Sequence, residues 1–184
     1  MSALQAQVNP HFLYNTLDVI NWVAIENDNR EISSMVSMLA KYFRLSLGMG
    51  KNIVHIKSEL ELIQVYMKIQ EFRFKNNIDA HYDIEDGLND YLIPKMTLQP
   101  IIENALIHGI CKNNVSNGII DIKIRKNEEK IIISIRDDGK GTDADMLNKC
   151  ILYGNTERNP HTSSGYGLHN VYERIVLFSD GEEG

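Results

Sequence analysis

The first fifty residues carry apolar positions at the 3.6-residue period of helices. Across residues 3–26, Val8, Phe12, Leu13, Leu17, Val19, Ile20, Val23 and Ala24 build one broad apolar face. Asn9-Pro10 inside this stretch reads in two ways. Either Asn9 is an N-cap with Pro10 at the first helical position, or the helix begins near Ala3-Leu4-Gln5 and is kinked at Pro10. After the polar break Asn27-Asp28-Asn29-Arg30, residues Ile32, Met35, Val36, Leu39, Tyr42, Phe43 and Leu47 keep the i, i+3, i+4, i+7 rhythm. That helix is expected to stop at Gly48-Met49-Gly50. The short connection implies an antiparallel hairpin. Two such helices cannot bury faces this wide between themselves. A second copy completing a four-helix bundle across a two-fold axis is therefore expected; the competing arrangement packs the hairpin on the rest of its own chain.

Beyond residue 50 the period changes repeatedly. A short extended piece, Ile53-Val54-His55-Ile56, precedes Ser58-x-x-Glu61, which reads as a capping box. The helix behind it runs to about Phe74 through Leu62, Val65, Tyr66 and Ile69. Ile78, Ala80, Tyr82 and Ile84 alternate as a strand closed by Glu85-Asp86-Gly87. A fourth helix is expected over 96–107, then two strands over 119–125 and 130–136 joined by Lys126-Asn127-Glu128-Glu129. Residues 138–164 hold few apolar side chains, with room for a short helix over 143–152; a loop of this length in a compact domain commonly acts as a lid. A last helix is expected over 166–178. Helices alternating with strands in this way make a mixed sheet with helices on it, a two-layer α/β sandwich behind a helical hairpin, so the fold class is α+β.

Composition narrows the function without naming it. The 184 residues suffice for one domain, or for a small element plus one domain, and 43% hydrophobic with 24% charged residues is an ordinary globular balance. A net charge of −6 offers no basic field to nucleic acid. Cys111 and Cys150 lack C-x-x-C spacing and suit a reducing compartment. No run of 18 apolar residues is present, and the opening pattern is expected to be helical and not a signal peptide. The opening Met1-Ser2-Ala3-Leu4 and the abrupt close at Gly181-Glu182-Glu183-Gly184 look like the ends of a fragment.

Four stretches carry candidate chemistry. In Asn9-Pro10-His11-Phe12-Leu13-Tyr14-Asn15, His11 and Asn15 fall one turn apart on one helix face. In Glu103-Asn104-Ala105-Leu106-Ile107-His108-Gly109, Asn104 and His108 have the same spacing in an otherwise apolar helix, where a neutral amide can offer its oxygen to a hard cation such as Mg²⁺. Asp137-Asp138-Gly139-Lys140-Gly141 ends a strand with a carboxylate beside two glycines, so backbone can approach a flat ligand that the acid hydrogen-bonds. Ser163-Ser164-Gly165-Tyr166-Gly167-Leu168-His169-Asn170 puts two glycines at a helix N-terminus, where free N–H groups suit phosphate oxygens.

In chain order these are E-N-A-x-x-H-G, D-x-G-x-G and G-x-G-L-x-N. Over 51–180 the chain resembles the ATP-binding domain shared by sensor histidine kinases, DNA gyrase, MutL and the heat-shock ATPase chaperones. With N-P-H-F-L-Y-N upstream, it resembles the LytS-type branch of the sensor histidine kinases. The resemblance implies a Bergerat-type sandwich over residues 51–184 behind a dimerisation and phosphotransfer hairpin over residues 1–50. It implies His11 as phosphoacceptor with Asn15 beside it, Asn104 as Mg²⁺ ligand and Asp137 as reader of adenine. Gly139 and Gly141 then form the turn beside the base, and Gly165, Gly167 and Leu168 close over the phosphates, with residues 138–164 as the ATP lid. ATP and Mg²⁺ are the implied cofactors. A homodimer and a response regulator receiver domain are the implied partners. The chain would be the cytoplasmic portion of a cell-membrane protein with its sensor upstream. The family's sheet gains further strands after the last helix, which the sequence ending at Gly184 does not supply.

Two departures from the family pattern bear on the reaction. Hydrolysing members carry a glutamate four residues before the magnesium asparagine, and Pro100 stands there. Glu103 is adjacent but about 100° round a helix from Asn104. The pattern therefore favours transfer to an acceptor over hydrolysis, leaving an ATPase, or a non-catalytic dimeric scaffold with a degenerate nucleotide site, as the alternatives. Many histidine kinases also place a cation three residues after the asparagine; here it is Ile107, and His108, Lys140 and Arg174 are candidates to compensate.

Overall fold

The computed structural model describes residues 10–47, 51–74, 77–110, 118–154 and 164–180. The N-terminal hairpin forms as its periodicity demands, with α1 (Pro10–Glu26) and α2 (Arg30–Leu47) packed side by side. Pro10 is the first helical residue described, while Asn9 and Gly48-Met49-Gly50 lie outside the described residues. The turn between the helices works because Asp28 takes a left-handed backbone, φ 50°, and the Asn29 carboxamide oxygen accepts the Ile32 N–H at 3.1 Å as an N-cap.

The remainder is built from β1 (Ile53–His55), α3 (Ile56–Arg73), β2 (Ile78–Ile84), β3 (Leu92–Pro94), α4 (Gln99–Asn104), β4 (Gly118–Asn127), β5 (Lys130–Asp137), α5 (Ala144–Tyr153) and α6 (Ser164–Asp180). The main sheet has the order β2-β4-β5, with β2 parallel and β5 antiparallel to the central β4. A second ladder pairs β1 with β3 antiparallel. In β4 the period of two decides everything: Ile120, Ile122 and Ile124 are fully buried, while Asp121, Lys123 and Arg125 face outward. Over the buried row lie Ile56, Leu60, Ile63 and Met67 of α3 and Leu98, Ile102, Leu106 and Ile110 around α4. The outer face is solvated, with His81 3.0 Å from Asp121 and Arg125 paired to Asp83. One covered and one wet face make the two-layer sandwich.

Three local expectations are corrected. The capping box at Ser58 does not form: the N-cap is His55, three residues earlier, with no side-chain cap, and Glu61 pairs with Lys41 at 2.7 Å. The helix expected over 96–107 is a six-residue α4 followed by a π-helical segment, Ala105–Ile110. The β4–β5 connection is only Glu128-Glu129, since the strands pair out to Asn127 and Lys130, and Glu128 has φ 51°.

Because Ile122 is fully buried at the middle of the central strand, truncating it leaves a cavity that the sheet cannot close. Ile122→Ala is expected to lower unfolding free energy by about 2–5 kcal/mol. Urea denaturation followed by far-UV circular dichroism measures this, and a change under about 1 kcal/mol would contradict the packing described.

Candidate active site

Strand β5 supplies the first element of the site through its register. Ile131, Ile133 and Ile135 turn toward the helices, and the next residue in that row is Asp137. A carboxylate thus occupies the end of an inward-facing apolar row, half-buried, where packing alone would call for another aliphatic side chain. Its Oδ1 accepts the Gly139 N–H at 3.0 Å, folding the chain back at the strand end. Asp138 does a different job: its Oδ1 accepts the Ile119 N–H at 2.9 Å and its own N–H reaches Ile119 O, so it pins the strand end to β4.

The second element is the π-helical segment, an arrangement that often marks functional sites. It brings Gly109 so close to β5 that a Cβ there would lie 2.3 Å from Asp137 Oδ1. A Cβ on Gly139 would lie 2.4 Å from Gly109 O. Asp137, Gly109 and Gly139 therefore form one close-packed corner that only glycine permits at two of its three positions. Ile110, at the end of the segment, packs where a Gly118 side chain would otherwise sit, anchoring the wide turn in the core. Asn104, half-buried, is the last α-helical residue before this segment. The His108 backbone lies in it, and its side chain is outside the described residues. Ile107 is exposed. Gly141 adopts φ +69° in open space, a conformation glycine supplies without strain.

The third element is α6, which starts at Ser164, earlier than the 166–178 expected. Gly165 and Gly167 lie in its first turn, and the side-chain position of Gly167 is 3.6 Å from Pro100 Cβ at the start of α4. Leu168 is half-buried. The α5 helix, capped by Asp143 through the N–H groups of Asp145 and Met146, leans on α6, where His169 Nδ1 donates to Ile151 O at 2.8 Å. Residues 155–163 of the expected lid lie outside the described residues.

His11 and Asn15 are exposed on α1, with the Asn15 amide 3.3 Å from His11 Nδ1. Helix α1, which carries this pair, packs on α2. Around them Phe12 and Trp22 are 72% and 62% exposed, and Val19 and Ile25 are open as well. The hairpin meets its own chain through α2. Tyr42 stacks near Tyr66 of α3, ring centroids 6.1 Å apart, and its hydroxyl is hydrogen-bonded to the Gln99 amide of α4. Burial pushes the Tyr42 phenol up from its ordinary pKa. Gln99 Nε2 also donates to Glu103 Oε1 at 2.8 Å, which occupies the carboxylate next to Asn104.

Two residues escaped the sequence reading. Glu59, only 1% exposed, accepts three backbone N–H groups, from Met96 (2.7 Å), Thr97 (2.9 Å) and Leu98 (3.1 Å). The signal was available, since Glu59 falls between Ile56 and Ile63 on the apolar face of α3. The second is Gln99, whose pairing across helices has no local signature. Arg174 was a candidate phosphate cation, and its guanidinium is instead committed to the carbonyls of Lys95 (2.6 Å) and Met96 (2.9 Å).

With this geometry in place, the comparisons identify the family. The model of the histidine kinase-, DNA gyrase B- and HSP90-like ATPases matches residues 89–182, and the histidine kinase model matches residues 1–78. The chain belongs to that ATPase family, on its histidine kinase branch. The sensor histidine kinase YesM of Bacillus subtilis is 40% identical over 96% of this chain, and the sensor protein LytS of Staphylococcus epidermidis is 31% identical over 96%. The chain spans 29% of the length of each. A solved bacterial phosphotransferase shares the fold, with a TM-score of 0.52 at 12% identity, covering 91% of this chain and 80% of that one. The corner built by Asp137, Gly109 and Gly139 thus lies in the ATP-binding domain of a histidine kinase chain, and ATP use follows from that membership. Among the described residues no group of three or more His, Cys, Asp or Glu could hold a metal, and no helix is long and apolar enough to cross a membrane.

The close packing at this corner generates a direct test. Gly109→Ala drives a methyl into the Asp137 carboxylate and is expected to cost about 1–3 kcal/mol of stability. Adding Asp137→Ala removes the obstructing oxygens and should recover most of that loss, a coupling of roughly 0.5–3 kcal/mol in a double-mutant cycle. Strict additivity would mean the two residues do not meet.

Proposed function

We propose that this chain is the phosphoryl-transfer core of a two-component sensor histidine kinase. It takes the γ-phosphoryl group of Mg²⁺-ATP onto His11 and passes it to an aspartate of a response regulator receiver domain. The observation that carries the reading is the inward-facing carboxylate of Asp137 held in a glycine corner beside the segment that follows Asn104. A half-buried acid with glycine backbone on both sides fits a flat base with an exocyclic amine. The neutral amide of Asn104, at the end of α4, fits a cation that keeps its waters and phosphate oxygens.

In this reading Asp137 accepts a hydrogen bond from the adenine amine, and Gly139 and Gly141 form the turn beside the ring. Asn104 is the protein's ligand for Mg²⁺, which neutralises charge on the phosphates. His108 lies on the same cradle. Gly165, Gly167 and Leu168, at the first turn of α6, close over the phosphates, with residues 138–164 as the lid. The acceptor is the imidazole of His11: its ring nitrogen attacks phosphorus as the bond to the leaving ADP oxygen breaks, and the ring proton passes to solvent. Asn15, 3.3 Å from Nδ1, orients the ring. Transfer is favoured over hydrolysis because Pro100 has no acid and because Glu103 is tied to Gln99.

We divide the chain into a dimerisation and phosphotransfer hairpin, residues 1–50, and an ATP-binding domain, residues 51–184. The open apolar face of α1, with Phe12, Val19 and Trp22, fits a homodimeric four-helix bundle, while α2 is occupied with its own chain. In the whole protein this core would be the cytoplasmic part of a membrane sensor.

Incubation with γ-labelled ATP and Mg²⁺ should give acid-labile, base-stable label on the wild type and none on His11→Gln. Equal labelling of both would overturn the acceptor assignment, and steady phosphate release without labelled protein would make the chain an ATPase.

A further inference from the structure

The turn ahead of α4 is gripped from two sides by opposite charges. It is also strained: Met96 holds φ +61° without being glycine. From α3, Glu59 Oε1 accepts the Met96 N–H at 2.7 Å, and Oε2 accepts the N–H groups of Thr97 at 2.9 Å and Leu98 at 3.1 Å. From α6, Arg174 Nη1 donates to Lys95 O at 2.6 Å and Nη2 to Met96 O at 2.9 Å, while Nε donates to Asn170 O at 3.1 Å. The carboxylate thus takes the donors of the turn and the guanidinium its acceptors, and the two charges are linked through the peptide groups between them. Leu98, the last residue gripped, is the N-cap of α4, and its carbonyl accepts the N–H groups of Ile101 and Ile102.

The same face of α6 carries this grip and the phosphate motif. Gly167, Val171 and Arg174 follow at i, i+4 and i+7, which is one helix face. Gly167 meets Pro100 at the start of α4, and Val171 is buried. Two turns of helix, about 10 Å, separate Gly167 from Arg174. Fixing the far end of this face at Lys95 and Met96 therefore sets how the first turn of α6 stands against α4. On the reading above, these helices are the two walls of the nucleotide site, one with Asn104 and the other with Gly165, Gly167 and Leu168.

We propose that Glu59 and Arg174 are positioning residues that lock the Lys95–Leu98 turn between α3 and α6 and so hold the magnesium side and the phosphate side of the ATP site in register. This deepens the proposed function and rests on it. Lysine cannot replace Arg174, because the grip uses the planar fork of the guanidinium on two adjacent carbonyls.

The test uses the full chain with Arg174→Lys, Glu59→Gln and the double variant, each checked for cooperative unfolding. Two quantities are read: amide hydrogen exchange at Met96, Thr97 and Leu98 without nucleotide, and affinity for Mg²⁺-ADP. Each single variant should speed exchange at these amides and weaken Mg²⁺-ADP by about fivefold or more. The double variant should be little worse than the worse single one, because both act on one turn. Should Glu59→Gln fail to fold, Arg174→Lys alone decides the matter by the same two readouts. Weaker binding with unchanged exchange would overturn the proposal and place Arg174 at the phosphates. Faster exchange with unchanged affinity would overturn it as well, leaving the grip purely structural. Faster exchange in the variants together with a wild type that binds no Mg²⁺-ADP would instead remove the nucleotide reading of the site.

Discussion

A carboxylate with almost no exposure, Glu59, organises the half of this molecule that carries the site. An ion removed from water is costly unless its lone pairs are matched, and Glu59 is matched by three backbone N–H groups at once. Those donors belong to a turn that no regular ladder would satisfy, because it lies between the end of β3 and the start of α4. The acid and the turn therefore require one another. Through them α3, the β1–β3 ladder and α4 become one rigid layer over the isoleucines of β4, and α6 joins it through Arg174.

That rigidity matters because the candidate site is assembled from elements far apart in sequence. Asp137 comes from the end of β5, Gly109 from the π-helical segment and Gly167 from the opening of α6. The close approaches at Gly109 and Gly139 leave no slack for a displaced helix. Phosphoryl transfer, the proposed function, asks a protein mainly for positioning and charge neutralisation, which a precise framework of this kind would supply. The histidine hairpin is the contrasting part. Its α2 is tied to α3 and α4 through Tyr42, while α1 presents His11 and an open apolar face to the surroundings.

Much of this was legible in advance. Period-two alternation located β2 with its observed bounds and found β4 and β5 within two residues at each end, because each strand has one covered face. Asp137 with Gly139 and Gly141 is by itself only a turn signal at the end of an apolar strand, and the resemblance to the ATP-binding family is what marks it as a site. What stayed hidden depends on partners distant in sequence. Strand β3 is three residues long and too short to show a period. The π-helical segment is set by Ile110 and Gly109 finding places against Gly118 and Asp137, contacts that no local pattern encodes. Ser58 and Glu61 have the spacing of a capping box, yet the helix starts earlier because Ile56 packs in the core. Arg174 looked available for phosphate, and only the fold shows its donors directed to backbone carbonyls.

The central claim is that Asn104 and the corner at Asp137 bind a nucleotide together with a magnesium ion. Calorimetric titration of the wild type and of Asn104→Ala with a non-hydrolysable ATP analogue, with and without Mg²⁺, addresses it most directly. The account predicts wild-type binding that strengthens by about tenfold or more when Mg²⁺ is present, a difference of roughly 1.4 kcal/mol, and an Asn104→Ala variant that keeps its fold but loses this dependence. Equal Mg²⁺ dependence in both proteins would contradict it.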